Sequence, residues 1–253
     1  MNYNFENALL SDWLFEMQVP AQLCRQPYLD QKVTSIIKLA CDTFNQNVAV
    51  FFMTVDVTEQ YVHLKNIRQE KIEDPFLVVC TVIFMMSKYH GGGGDLNLSL
   101  VEKFMVRISR ENYNQKAILQ MEFEILKTLD CKLPFSTAFD DFNIFFENFI
   151  REYRQQELLR PLCFETLILI YCMKQKWFET MKGIYGEDTE TFEYLLSSKF
   201  FLPAGILISA LKMTNFHFIL DIDGILQDLR VFTKIHPYHI SMLSNCILDL
   251  MKA

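Results

Sequence analysis

Several short stretches of the sequence carry residue types that serve catalysis in other proteins. His90-Gly91-Gly92-Gly93 has the composition of an esterase oxyanion loop, but no Gly-x-Ser-x-Gly nucleophile motif occurs in the chain. The run of four glycines also lacks the following Lys-Ser or Lys-Thr pair of a phosphate-binding P-loop. We therefore interpret this stretch as an insertion after the C-terminus of a helix, where glycine readily adopts the required backbone angles.

Other polar groups of the sequence are candidates for metal or catalytic sites. His236 and His239 bring two imidazoles close in sequence, but no third or fourth ligand lies nearby and the intervening proline disrupts helical spacing. Asp221 and Asp223 stand at a predicted helix start, where carboxylates compensate the helix dipole. Asp141-Phe142-Asn143 lacks the glycine of the kinase metal-binding motif, and no kinase catalytic loop accompanies it. The sequence thus predicts no catalytic residues, no metal and no cofactor, and therefore no enzyme.

The composition narrows the class of protein further. The chain has 253 residues, of which 51% are hydrophobic, and a formal net charge of -7. This acidity disfavours direct binding to the phosphates of a nucleic acid. The seven cysteines contain no Cys-x-x-Cys pair, which indicates buried free thiols in a reducing compartment. No secretory signal opens the chain and its longest apolar run, Phe76 to Met86, is too short to cross a membrane, so we expect a soluble intracellular protein with no membrane partner.

The elements that must position any site are predicted to be helices throughout. Apolar residues recur at helical spacing along nearly the whole chain, and alternating patterns typical of strands are lacking. Capping residues and prolines mark the ends of the segments. The predicted helices are Leu9–Met17, Gln31–Phe44, Ala49–Leu64, Pro75–Tyr89, Ser99–Arg110, Asn114–Leu129, one following the Thr137-to-Asp140 capping box, Leu162–Met181, Thr189–Leu196, Leu202–Met213, Asp221–Thr233 and His239–Met251.

Two of these helices are apolar on every face. Such a helix is buried at the centre of a bundle, so Pro75–Tyr89 and Leu202–Met213 predict two bundles of about five helices each. The resulting all-α organisation has an N-terminal helix and linker over 1–27, a first bundle over 28–136 and a divergent second bundle over 137–253.

One carboxylate interrupts an otherwise apolar helix stripe. Glu122 lies between Ile118, Ile125 and Leu129 at helical spacing, and a buried carboxylate without a partner would be costly. Lys88 ends the central helix of the first bundle, where a cation complements the helix dipole. Either residue alone is consistent with an ordinary solvated charge, but together they are candidates for a polar couple at the mouth of the bundle.

These segments resemble a known family. Met86-Ser87-Lys88-Tyr89 resembles the A-S-K-[FY] that ends the third helix of the cyclin box, and Ile118 to Leu129 resembles its fifth-helix signature of a Met-Glu pair and a terminal L-K-x-L. Lys132 to Thr137 is similar to the usual link into a second cyclin fold. The resemblance covers residues 28 to 137 well and extends weakly to the C-terminus. It implies a cyclin fold in which the first bundle is the cyclin box.

The resemblance also implies a partner and a site. In cyclins the residues at the positions of Lys88 and Glu122 hydrogen-bond to main-chain groups of a cyclin-dependent kinase, beside its mobile αC helix, and Tyr89 and Phe123 would pack nearby. A compact cation suits carbonyl acceptors and a carboxylate suits N–H donors. The family further keeps an internal ion pair between its first two helices. Glu59 occupies the acidic position of that pair, and Lys32 is its expected partner.

Some features depart from the usual cyclin pattern. The substrate-docking segment M-R-A-I-L is echoed by Leu9 to Leu14, but too far before the next helix, and Val33 to Ile36 stand at the docking position instead. We therefore do not expect RxL-type substrates in the usual groove, and interpret Leu9–Met17 as a helix packing on the box or on the kinase. The acidic pair that follows A-S-K-[FY] is replaced by His90 and the glycines.

Among divergent cyclins the sequence resembles the cyclin N-terminal domain-containing protein one group. Shared features are the opening at Glu6 to Leu10, the Arg25-Gln26-Pro27 before the first box helix and the widened loop after Lys88. This implies a nuclear role in meiotic crossover formation, with meiotic recombination proteins as partners. Two alternatives stay open: a cyclin-fold scaffold that binds no kinase, and a DNA-binding cyclin fold, which the acidity disfavours.

Overall fold

The computed structural model describes residues 26–90, 96–134, 136–149, 156–214 and 221–252. Every regular element within these ranges is an α-helix, as predicted. The predicted helix Leu9–Met17 and the glycine run lie outside the described residues. The helices are α1 Gln31–Thr43, α2 Val48–Ile67, α3 Pro75–His90, α4 Leu98–Ser109, α5 Gln115–Thr128, α6 Ala138–Phe149, α7 Gln156–Cys172, α8 Lys174–Tyr185, α9 Thr189–Ser197, α10 Phe201–Met213, α11 Ile222–Thr233 and α12 Pro237–Lys252.

Helix α3 is the centre of the first bundle. Its N-terminus is capped by Asp74, whose Oδ1 accepts a hydrogen bond from the Leu77 amide at 2.9 Å. All residues from Val78 to Ser87 are buried, because α1, α2, α4 and α5 pack around the helix. The prediction of a central helix from its uniform apolarity is therefore confirmed.

Helix α10 has the same position in the second bundle. It is buried from Pro203 to Leu211 and packs against α6, α7, α11 and α12. Gly205 allows α12 to approach closely, since a Cβ atom at this position would lie 2.5 Å from Cδ2 of Leu243. The two central helices thus organise two bundles in chain order.

Several predicted helix boundaries are wrong, including the start predicted at Leu162, since α7 begins at Gln156. The helix predicted over Leu162–Met181 is broken at Met173, whose backbone angles (φ -109°, ψ 23°) are not helical, so α7 and α8 are separate. The predicted cap at Ser99 is also displaced, because Asn97 Oδ1 accepts from the Ser99 amide at 2.8 Å and starts α4 earlier. The capping box at Thr137 is confirmed, since the Thr137 amide donates to Asp140 Oδ2 at 2.7 Å.

The two bundles share one apolar core. The ring of Phe52 in α2 lies 4.6 Å from the ring of Tyr171 in α7 and stacks 5.7 Å from that of Phe139 in α6, between ring centroids. Thr34 Oγ1 in α1 donates to the Cys172 carbonyl at 2.7 Å. Contacts of this kind fix how the second bundle sits on the first.

Within the described ranges, no single helix is both long enough and apolar enough to cross a membrane. The pair α9 and α10 reaches the required length only together, and it is bent by 86°.

Candidate functional site

The structure brings Lys88 and Glu122 together at the surface of the first bundle. Lys88 lies in the last turn of α3 and Glu122 in the middle of α5, and the distance from Lys88 Nζ to Glu122 Oε1 is 2.5 Å. The ammonium also lies over the ring of Phe84, 4.2 Å from its centroid. The Lys88 side chain is 40% exposed and that of Glu122 18%. The couple is thus half-desolvated and open to solvent on one side.

This couple retains hydrogen-bonding capacity. An ammonium has three donors and a carboxylate about four acceptor positions, so one mutual ion pair leaves most of them free. Partly exposed ion pairs contribute only about 0–1 kcal/mol to stability. Lys88 and Glu122 are therefore weak candidates for a folding role and well suited to bind carbonyl and amide groups of another chain.

Exposed apolar side chains surround the couple. Phe123 is 70% exposed and Tyr89 47%, although both are large and largely apolar. Leu119, which is not among the predicted site residues, is 49% exposed and lies one helical turn before Phe123 on the same face of α5. In the sequence, its position directly after Ile118 and off the buried stripe of α5 indicates that Leu119 does not face the core of its own bundle. We call Lys88, Tyr89, Leu119, Glu122 and Phe123 the Lys88–Glu122 surface.

A second polar cluster holds α5 from its other side. Glu124 Oε1 accepts hydrogen bonds from Lys65 Nζ at 2.7 Å and from the Tyr61 hydroxyl at 2.9 Å, both in α2. Lys65 is buried and also pairs with Glu70 at 2.8 Å. Its ammonium lowers the pKa of Glu124, which keeps that carboxylate ionised. Glu124 lies two residues after Glu122. The cluster therefore fixes the rotation of α5 about its own axis, and this rotation leaves Glu122 and Phe123 at the surface of the bundle.

The expected ion pair of Glu59 with Lys32 does not form. Lys32 is exposed on α1, whereas Glu59 Oε2 lies 2.5 Å from Nζ of Lys174 at the start of α8. Lys174 is buried and also lies 3.4 Å from Asp56 Oδ1. The structural pair therefore connects the two bundles rather than the first two helices. A buried carboxylate takes whichever cation the fold brings to it, and here that cation is 115 residues away in sequence.

The cluster at Lys174 holds more carboxylate than ammonium charge. Lys174 serves both Asp56 and Glu59, and the Tyr171 hydroxyl donates to Asp56 at 3.4 Å. Burial raises the pKa of Asp56 to about 6 despite the nearby ammonium. Burial also raises the pKa of Asp141, in α6, to about 7. Buried carboxylates at the contact between the bundles thus titrate near neutral pH.

We expect the stability of the chain to depend on pH through Asp56. Its pKa is about 6 when folded against an ordinary value of 3.8, so the folded state binds the proton more tightly. The stabilisation that comes from this tighter proton binding is complete below about pH 4 and is lost as the pH rises through 6. The loss amounts to about 3 kcal/mol for a shift of two pKa units. Asp56→Asn, which mimics the protonated form, should remove that loss.

The measurement is the free energy of unfolding by urea between pH 4 and 7.5. Wild type should lose stability relative to Asp56→Asn as the pH rises, while other groups, including Asp141, contribute to both profiles. Parallel profiles for the two proteins would contradict a raised pKa at Asp56.

The histidine and cysteine side chains that could serve as metal ligands or nucleophiles have contacts typical of structural residues. The His239 Nδ1 atom is hydrogen-bonded to the Tyr185 hydroxyl at 2.8 Å, and the rings of His236 and His239 are 6.3 Å apart between centroids. Burial raises the pKa of Cys41 to about 12, which leaves this thiol protonated and a poor nucleophile. No group of three or more metal-ligating side chains occurs in the part of the chain described here.

Comparison with known proteins agrees with the fold. Residues 17–134 match the family described as "Cyclin, N-terminal domain". The fold is similar to the X-ray structure of a viral cyclin from herpesvirus saimiri, with a TM-score of 0.62 and 13% sequence identity over 99% of this chain and 95% of that chain. A search of curated proteins gave no significant match. Over the residues that the structure describes, the chain is all-helical and has the cyclin fold, and the stretch that matches the cyclin N-terminal domain model includes its first bundle.

Proposed function

We propose that the chain is a non-catalytic regulatory subunit that binds a cyclin-dependent protein kinase through the Lys88–Glu122 surface. The observation that carries this proposal is the surface itself: a charged couple with unused hydrogen-bonding capacity, surrounded by exposed Leu119, Phe123 and Tyr89. Exposed apolar groups of this size next to a polar couple are typical of a protein interface rather than of free surface.

The chemistry of such an interface favours contact with main-chain groups of the partner protein. Lys88 donates to carbonyl oxygens and Glu122 accepts from amide N–H groups, so the couple recognises backbone at a helix end or loop. Phe123 supplies the aromatic anchor that contributes most to binding energy in many interfaces. Closing the apolar rim around the couple excludes water and strengthens its hydrogen bonds.

The resemblance to cyclins suggests what this contact achieves. A kinase αC helix held against the Lys88–Glu122 surface would keep its glutamate paired with the ATP-site lysine, which completes the kinase active site. The chain itself would then contribute no catalytic group to the reaction.

The test is retrieval of cyclin-dependent kinases from a panel by the purified chain. Lys88→Ala/Glu122→Ala should weaken binding by about 100-fold, because truncating charged interface groups commonly costs 2–5 kcal/mol. The matched control is Lys38→Ala/Asp42→Ala, which removes an ion pair of 2.6 Å on α1 and should bind as wild type does. Retention of the kinase by the folded double variant at the Lys88–Glu122 surface would refute the proposed contact.

One observation favours a second function, a kinase-independent scaffold. Lys88 and Glu122 already pair with each other at 2.5 Å, so each has one partner before any kinase arrives. The usual acidic residues after the Ser-Lys motif are also replaced by His90 and glycines. If wild type retrieves no kinase from the panel, the scaffold hypothesis replaces the kinase-binding hypothesis.

For the biological setting we propose meiotic crossover maturation in the nucleus of germ cells. The support is the resemblance at Glu6 to Leu10 and at Arg25 to Pro27, and the widened loop after Lys88. The partners would then be meiotic recombination proteins, which recruit an acidic chain without direct DNA contact. A tagged chain should form foci at late recombination sites in prophase chromosomes, and its loss should lower crossover number. Uniform localisation and unchanged crossovers would refute this setting.

A further inference from the structure

Helix α4 has an outward face on which apolar side chains remain exposed. Val101 and Met105 point into the core of the first bundle and are fully buried. Leu100, Phe104 and Ile108 recur every four residues on another side of the helix and form a ridge about 12 Å long. Leu100 is 48% exposed and Ile108 58%, although both are aliphatic. A row of exposed apolar groups, unlike a single one, is typical of a surface that another molecule covers.

The ridge is held at its centre by the bundle itself. The ring of Phe104 packs against that of Phe44 at the end of α1, with 4.7 Å between the ring centroids. An aromatic contact of this kind fixes which side of α4 faces outwards. Leu100 and Ile108, one turn to either side of Phe104, are therefore presented at fixed positions.

Two cations lie beside the ridge. Lys103 and Arg107 are exposed and lie four residues apart on one side of α4. Within the ranges that the structure describes, neither has an ion-pair partner. Glu102, the carboxylate of α4, lies on the other edge of the helix, where its Oε2 accepts from Gln115 Nε2 at 3.0 Å. The outward face is thus locally positive in a chain whose net charge is -7.

This arrangement is unfavourable in the free chain. Like charges at positions i and i+4 of a helix repel each other, and exposed aliphatic area is costly in water. An amphipathic helix relieves both costs if its apolar side chains pack beside the ridge and its carboxylates meet Lys103 and Arg107. Carboxylates four residues apart on that helix have the same spacing along the axis, about 6 Å, as the two cations.

A nucleic acid is a poorer match for this face. Its phosphates would engage two cations, which contributes little affinity at physiological salt, and the apolar ridge would stay in water. The net charge of -7 adds repulsion at long range. The combination of an apolar ridge with a short basic row therefore favours a protein partner.

We propose that the outward face of α4 binds an acidic amphipathic helix of a partner protein. The ridge of Leu100, Phe104 and Ile108 provides the contact area, and Lys103 and Arg107 select carboxylates. The Lys88–Glu122 surface lies on other helices, so this binding does not depend on the kinase proposal.

The test uses the full chain and two fluorescently labelled peptides. One peptide is a designed helix with leucines at helical spacing and glutamates beside them, and the other has a lysine at each glutamate position. Fluorescence anisotropy should show binding of the acidic peptide, weakened by added salt, and little binding of the basic one. Lys103→Glu/Arg107→Glu should weaken binding of the acidic peptide at least about tenfold and should bind the basic peptide better than wild type does. Leu100→Gln/Ile108→Gln should weaken binding although the charges are kept.

Two control variants locate the binding site. Arg230→Glu/Lys234→Glu reverses two exposed cations four residues apart at the end of α11 and should bind the acidic peptide as wild type does. Lys88→Ala/Glu122→Ala should also leave this binding unchanged, so the outcome is separate from that of the kinase proposal. Circular dichroism of each variant confirms that the bundles stay folded.

Four results would overturn the proposal. If wild type binds both peptides equally, or neither, the face does not select an acidic helix. Binding that survives Lys103→Glu/Arg107→Glu would place the peptide elsewhere. Stronger binding of a single-stranded oligonucleotide or of phosphatidylserine vesicles, lost in the same variant, would assign the two cations to phosphate groups. A dimer in sedimentation velocity that this variant dissociates would make a second copy of the chain the occupant.

Discussion

Phe123→Ala should weaken binding of the proposed cyclin-dependent kinase by about 30-fold or more, since aromatic anchors at the centre of interfaces commonly contribute at least 2 kcal/mol. Phe123 is 70% exposed in the free chain, so its truncation removes little packing within the bundle. The loss should appear in the dissociation rate rather than the association rate, because the residue is uncharged. Binding kinetics on an immobilised kinase give both rates.

A matched control separates this effect from general loss of apolar surface. Val231 in α11 is also 70% exposed and lies in the second bundle, so Val231→Ala should leave kinase binding unchanged. Unfolding by urea should show both variants within about 0.5 kcal/mol of wild type. Equal binding by Phe123→Ala and wild type would remove Phe123 from the interface.

Lys174→Met should lower the free energy of unfolding by about 3–5 kcal/mol, the usual cost of removing one member of a buried ion pair. The variant leaves Asp56 and Glu59 without their shared cation at the contact between the bundles. It also leaves Glu59 Oε1 in an environment where that buried atom has no hydrogen-bond partner among the described residues. The expected result is the largest stability change of any single lysine substitution in this chain.

Two comparisons identify the cause of that loss. Lys38→Met breaks a more exposed pair with Asp42 and should cost less than about 1 kcal/mol. Adding Asp56→Asn and Glu59→Gln to Lys174→Met should recover part of the stability, because the uncompensated charges are then gone. A loss below 1 kcal/mol for Lys174→Met, or no recovery in the triple variant, would mean that the cluster does not stabilise the contact between the bundles.

The fold was predictable where uniform apolarity and caps coincide in the sequence. Pro75–Tyr89 and Leu202–Met213 could be assigned to the centres of two bundles because no face of either helix is polar. The break at Met173 was not predictable, since no proline or glycine stands there and the apolar pattern continues across it. Tertiary packing of α7 against α10 and of α8 against α12 overrides the local preference.

Only part of the candidate site was predictable, because some of its contacts depend on packing between segments that are distant in sequence. Lys88 and Glu122 could be proposed as a couple because one interrupts an apolar stripe and the other ends a buried helix. The partner of Glu59 could not be found, because the resemblance to cyclins favoured Lys32 on the first helix while the fold brings Lys174 from another bundle. Periodicity places Leu119 off the buried stripe of α5, but it does not tell whether a neighbouring element covers that face of the helix.

The most direct test of the account is photo-cross-linking from position 123. A photoreactive phenylalanine analogue at Phe123 should capture the bound kinase in a complex formed by the full chain, whereas the same analogue at Val231 should not. Mapping the cross-link to the kinase αC helix or its adjoining loop is the predicted result. Capture from Val231 alone, or a complex that forms without any cross-link from position 123, would contradict binding through the Lys88–Glu122 surface.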